Sequence, residues 1–149
     1  MPSFRAILSL VLVLVTTLLV SCGNPAANVP PPTYTPEKIA QLQTIAEPID
    51  RAKERLAELE GYISQRSWFN IRDLIHGPLG QLRQDMKYLS ESLLPKDQPK
   101  AKKLAKQLFV DLEALDAAAK DHNYGACIDE YSQAVRDFNN FLNLVPTAS

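Results

Sequence analysis

Two cysteines, two histidines and a single tryptophan carry most of the chemistry this chain offers. Cys22 stands directly behind an apolar run in Leu19-Val20-Ser21-Cys22: an aliphatic residue, two small or tolerated ones, then a cysteine. That tetrapeptide has the form of a bacterial lipobox, in which the cysteine sulfur takes a diacylglyceryl group and cleavage leaves it as the new N-terminus. Cys127 lies beside the apolar positions of the last helical stretch and reads as a small buried hydrophobe. With Cys22 acylated it has no partner, so no intrachain disulfide is predicted.

Nucleophilic catalysis needs a serine or cysteine with a base and an orienting group. His76 and His122, 46 positions apart, are the histidines available as bases, and neither sits in a nucleophile motif. No catalytic residue is predicted. Haem would have to pair one histidine with the other or with Met86 across a helical core, and there is no Cys-x-x-Cys-His. Asp121-His122, with Asp116 one helical turn earlier, offers a surface zinc fewer ligands than the three or four of a dedicated site. No metal site and no cofactor are therefore predicted. His76, beside Gly77-Pro78, is expected to be hydrogen-bonded at a helix bend.

The charged residues divide into two patterns. Asp50, Arg51, Lys53, Glu54, Arg55 and Glu58 mix both signs, with Glu47/Arg51 and Asp50/Lys53 compensating, as on a solvated helix face. Lys96, Lys100, Lys102, Lys103 and Lys106 instead put five positive charges in eleven residues against Asp97 alone. Lysines at a helix start are poorly placed for its dipole. The plain reading is a solvated helix start. The sharper one is a docking patch for an acidic partner, acting over about 8 Å at physiological salt.

The most distinctive stretch is Ser67 to Met86, SWFNIRDLIHGPLGQLRQDM, with Arg66 just before it. It holds the only tryptophan, an adjacent phenylalanine, and Gly77-Pro78-Leu79-Gly80 inside a helical pattern. An interior glycine costs a helix roughly 1 kcal/mol and a proline about 3, so the bend must gain close packing or a shaped surface. Trp68 and Phe69 capping the bundle end is the plainer alternative. The candidate partner-binding residues are Trp68, Arg72, Asp73 and Arg83, taken as exposed, together with Lys96, Lys100, Lys103 and Lys106.

The elements that position these residues are helical. The chain of 149 residues has room for one domain, and 16 basic against 17 acidic residues give no basic footprint for nucleic acid. Ala6 to Val20 is apolar at 12 of 15 positions behind Arg5. That is short for a membrane span and right for a signal-peptide core, so residues 1–21 are predicted to be a lipoprotein signal. Without them, 128 residues remain, about 42% hydrophobic, with 15 basic against 17 acidic.

Residues 22–36 read as the lipidated cysteine and a tether, with five prolines between Asn24 and Pro36 favouring extended polyproline geometry. Residues 37–149 read as an up-down-up-down four-helix bundle, an all-α fold. The first helix, capped by Thr35 with Pro36 at its first position, carries Ile39, Leu42, Ile45, Ile49, Leu56, Leu59 and Ile63. Pro48 should kink it or split off its first turns. The second, with Ser67 as cap, carries Trp68, Ile71, Leu74, Ile75, Leu79, Leu82, Met86, Leu89 and Leu93, bent near His76. The third, capped by Asp97, buries Leu104, Leu108, Leu112 and Leu115 with Ala101, Ala105 and Phe109. The fourth places Ile128, Tyr131, Val135, Phe138, Leu142 and Val145 on one face.

The run Trp68-Phe69, Ile71-Arg72, Ile75, Gly77-Pro78-Leu79-Gly80, Leu82-Arg83, Met86 and Leu89 resembles the second-helix signature of the PsbQ family, extrinsic subunits of photosystem II. The likeness extends more weakly from about Tyr34 to Val145, and Cys22 points to the lipidated cyanobacterial branch. The resemblance implies a four-helix bundle on the lumenal side of the thylakoid membrane, anchored by its N-terminal lipid. It implies a non-catalytic role: stabilising photosystem II and supporting oxygen evolution at the manganese cluster without ligating it. The implied partners are the lumenal domain of a core antenna protein and the manganese-stabilising extrinsic subunit. The alternatives are a photosystem II assembly factor, or a helical-bundle lipoprotein that binds metal or haem.

Overall fold

The computed structural model describes residues 31–147, so the signal, Cys22 and most of the tether lie outside the described residues. Within them the chain forms five helices and no strand: α1 (Pro36–Ser64), α2 (Trp68–His76), α3 (Gly80–Ser92), α4 (Gln98–Lys120) and α5 (Tyr124–Leu142). Both α2 and α3 pack on α1 and on α4, so together they make the second arm of a four-helix bundle. α4 and α5 are the most closely packed pair, and α5 returns to α1. Because residues 65–67, 93–97 and 121–123 leave no room for a crossover, successive arms run antiparallel.

The core is the apolar stripe of each arm. Leu42, Ile49, Leu56, Leu59 and Ile63 of α1 meet Ile71, Leu74, Ile75, Leu82, Met86 and Leu89 of the second arm, all buried. Leu108, Leu112 and Leu115 of α4 complete it with Phe138 and Phe141 of α5, and Ala118, Ala119 and Ala134 are buried beside them. On α5 the buried line is Cys127, Ala134, Phe138 and Phe141, one position round from the face predicted. Ile128, assigned to the core by its spacing, is 41% exposed. The large Phe141 ring sets the helix rotation, and a pattern with apolar residues at both 127 and 128 does not fix it.

Local chemistry explains where the helices begin. Thr35 caps α1 by accepting the Lys38 N–H at 3.2 Å, with Pro36 in the first turn. α1 then runs as one helix through Pro48, so of the two outcomes expected there, a kink or a split, the first turns are not split off. Thr44 and Pro48 are both exposed, so the carbonyl deprived of its partner is open to water while Ala46 and Ile49 hold the buried side.

Asp97 does not cap α4: its backbone is helical and it makes no side-chain cap bond. Its carboxylate accepts the Tyr34 hydroxyl at 2.7 Å, and the same hydroxyl accepts the Leu94 N–H at 3.2 Å. Tyr34, expected to belong to the tether, is thus fastened to the turn between α3 and α4. Burial and the Asp97 bond push its phenol above the ordinary value. Ser67 precedes α2 as expected, but its hydroxyl accepts from the Asn70 side chain at 2.9 Å instead of from a backbone N–H.

Candidate docking face

Pro78 has no N–H to give the Leu74 carbonyl, and its ring would strike it. The chain resolves this by ending α2 at His76 and restarting at Gly80. The Leu79 N–H reaches back five residues to the Leu74 carbonyl at 3.0 Å, and the Gly80 N–H bonds the Gly77 carbonyl at 3.0 Å. The predicted bend is therefore a full break. Leu79 is buried at its centre, and a side chain at Gly77 would begin 2.9 Å from the Asp73 carbonyl oxygen. Beside the break a cleft of about 310 Å³ opens toward α4, lined by His76, Leu79, Gly80, Arg83, Phe109 and Asp116 among others.

Arg83 spans this seam. Its guanidinium lies 4.2 Å from the centre of the Phe109 ring, and its Nη2 donates to Glu113 Oε1 at 2.8 Å. Past Arg83 the seam continues as a second groove, lined by Lys87, Ser90, Lys102, Ala105, Lys106 and Phe109. The two segments singled out in the sequence meet at this groove, through Arg83 of the broken arm and Lys102 and Lys106 of the lysine cluster. Lys96, Lys100, Lys103 and Lys106 are exposed as expected. Lys106 lines the groove with Lys102, a member of the same cluster, and with Lys87, which was not among the candidates. Lys87 follows Arg83 by one turn, and that spacing was the available signal.

On α2 the candidates are less free than predicted. Arg72 is half-buried and donates from Nε to Asp116 Oδ1 at 3.0 Å, binding α2 to α4. Trp68 is packed against the core and stacks on the His122 ring, centroids 5.2 Å apart. It is not the exposed residue expected; its neighbour Phe69 is, at 78%. Asp73 is exposed.

The Trp68–His122 stack has a counterpart. Arg66 and His122 both adopt left-handed backbone, φ 53° and 55°, just past the ends of α1 and α4. Each turn closes with a bond back over five residues, Ser67 N–H to Tyr62 O and Asn123 N–H to Ala118 O. Glycine is usual at such positions. Here the side chains have work across the bundle end: Arg66 lies 4.8 Å over the Tyr124 ring at the start of α5 while His122 covers Trp68 at the start of α2. Nothing in the sequence singled out Arg66 or Tyr124 for this contact.

Of the residues weighed for catalysis and ligation, His76 and Asp116 meet each other but not His122 or Met86. His76 Nε2 shares Asp116 Oδ1 with Arg72 at 3.0 Å, the hydrogen-bonded role expected of it. Asp116 thus faces α2 instead of joining His122, and Met86 is buried in the core. Among the described residues no three His, Cys, Asp or Glu side chains gather as metal ligands. Cys127 is wholly buried and burial pushes its thiol up, which keeps it from reacting. No helix among the described residues is long and apolar enough to cross a membrane.

An antiparallel four-helix bundle with a broken second arm and a seam lined by Arg83, Lys87, Lys102 and Lys106 is the class of protein these residues define. The profile of the PsbQ family, oxygen evolving enhancer protein 3, matches residues 3–146. The chain is also 54% identical to CyanoQ of Synechocystis sp. over 150 aligned residues, covering 100% of both chains. It belongs to the PsbQ family of extrinsic photosystem II subunits.

Proposed function

We propose that the chain is a non-catalytic extrinsic subunit on the lumenal side of photosystem II, held to the thylakoid membrane by lipid on Cys22. In this role it stabilises the complex and supports oxygen evolution at the manganese cluster, contributing no ligand to that cluster. The observation that carries this reading is the likeness to CyanoQ along the whole of both chains. The α3–α4 face supports it, because exposed lysines without carboxylate partners among the described residues suit an acidic docking surface. Its partners are the lumenal domain of a core antenna protein and the manganese-stabilising extrinsic subunit. The docking residues are Arg83, Lys96, Lys100, Lys103 and Lys106, together with Asp73 on α2; Trp68 and Arg72 act by fixing the shape of the α2 end of the bundle.

Photosystem II isolated in mild detergent at low salt should retain the protein. Changing Lys100, Lys103 and Lys106 together to Glu should lower retention by about tenfold or more and reduce its sensitivity to salt, with helicity unchanged. Unchanged retention of that variant would reject the patch. Absence of the native protein from intact oxygen-evolving complexes would reject the function, and association confined to immature complexes would make it an assembly factor.

A further inference from the structure

The groove beyond Arg83 has a composition that bundle packing does not require. Its walls are Arg83 and Lys87 on α3 and Lys102 and Lys106 on α4, and its floor is Phe109 and Ala105. Ser90 lies at its base with its hydroxyl already donated to the Met86 carbonyl at 2.7 Å. No carboxylate lines it. Glu113 holds Arg83 from the neighbouring cleft, and Lys87, Lys102 and Lys106 make no ion pair among the described residues. Each wall also repeats one sign of charge at i,i+4, an unfavourable spacing. α1 also repeats like charges at i,i+4, Arg51/Arg55 and Glu54/Glu58, but its cations are paired: Arg51 with Glu47, Lys53 with Asp50 and Arg55 with Glu58.

We infer that this groove binds an acidic segment of a partner protein, with one apolar side chain seated on Phe109 and carboxylates on either side meeting the two rows of cations. The inference rests on the docking role proposed above and adds the chemistry of the occupant. The groove, about 180 Å³, is smaller than the few hundred Å³ typical of small-molecule pockets. It has room for a single side chain. Its cations do not converge on a point, as they would for one phosphate or sulfate. They stand four residues apart on each of two walls, about 6 Å along the axis, a spacing suited to carboxylates on nearby residues of a peptide. An apolar anchor in a desolvated pocket with a charged rim is the usual form of a binding hot spot. Val110, 47% exposed, follows Lys106 by one turn and continues the apolar surface outward.

The test uses the full chain and a fluorescent peptide of alternating Asp and Glu around one central Phe, read by anisotropy at low salt. Saturable binding is expected. It should weaken by about tenfold or more in Lys87→Glu/Lys102→Glu and about fivefold when the peptide Phe becomes Ala. Lys120→Glu, at the far end of α4, should leave it unchanged. Both altered lysines of the double variant are exposed, so its circular dichroism and melting should match the parent and exclude misfolding as the cause. Equal binding of the Phe and Ala peptides, or full binding by the double variant, would overturn the inference. So would preferential binding to phosphatidylglycerol vesicles, or self-association abolished by the same two changes. Loss of photosystem II retention in the parent with peptide binding intact would count against the proposed function and leave the groove standing. Full retention by the double variant with no peptide binding would do the reverse.

Discussion

Asp111 on α4 is 3% exposed, with Gln107 Nε2 donating to its Oδ1 at 3.1 Å and no partner for its Oδ2 among the described residues. Burial pushes its carboxyl above the ordinary aspartate value; the Asp137 charge adds to this, while the Gln107 bond and Arg136 oppose it. A native state that holds the proton more tightly than the unfolded chain is favoured by acid. The resulting stability is complete below the ordinary aspartate value and is lost as pH rises through the raised one. Replacing Asp111 by Asn removes the buried charge and keeps an acceptor for Gln107. The variant should melt about 3–6 °C higher at pH 7, a gain on the order of 1 kcal/mol, and the two proteins should converge at acid pH. A variant melting below its parent at pH 7 would show that Oδ2 has a partner. The sequence gives no hint of this residue: Asp111 sits between Val110 and Leu112 like any helical acid, and only the approach of α5 buries it.

At the scale of elements, two prolines inside helical patterns have opposite outcomes. Pro48 leaves α1 continuous, whereas Pro78 divides the second arm. The difference lies in the flanking residues. Pro48 has Glu47 and Ile49 beside it on a helix exposed at that point, while Pro78 stands between two residues whose backbone or burial completes the break, Gly77 and Leu79. The two glycines of the break should respond to substitution with opposite signs. Gly77→Ala drives a methyl to 2.9 Å from the Asp73 carbonyl oxygen and should cost about 1–3 kcal/mol, despite alanine's helix preference. A Cβ at Gly80 meets nothing within 4 Å, so Gly80→Ala should stabilise by about 0.4–1 kcal/mol through the unfolded chain. Urea unfolding of the two variants reads both; equal effects would mean that the break is set by Pro78 alone.

For the whole molecule, anchoring and docking are separable. No helix among the described residues is long and apolar enough to cross a membrane, and the proposed function assigns membrane attachment in the absence of photosystem II to lipid on Cys22. Replacing Cys22 by Ser should release the protein into the soluble fraction of membranes lacking photosystem II, while complexes that contain photosystem II keep a salt-sensitive share. Persistent attachment of that variant to membranes without photosystem II would rule out lipid on Cys22 as the anchor. Docking through lysines alone would leave retention weak at high ionic strength, and a lipid tether keeps the bundle close enough to rebind.

The all-α class, the four arms and most of the core were legible because a helical stripe is a local property. Leu42 to Ile63, Ile71 to Leu93 and Leu108 to Leu115 recur at the spacing of one helix face whatever that face meets. The PsbQ signature was legible for the same reason, since it lies within one stretch. What the tertiary structure decided depends on contacts between arms. It rotated α5 to bury Phe141 and expose Ile128, and turned Asp97 from a cap into the acceptor for Tyr34. It also set Trp68 against His122 and brought Lys87 and Lys102 to the groove beside Arg83. Each of these couples residues on different arms, and a one-dimensional pattern carries the rotation of each helix only to within a residue or so.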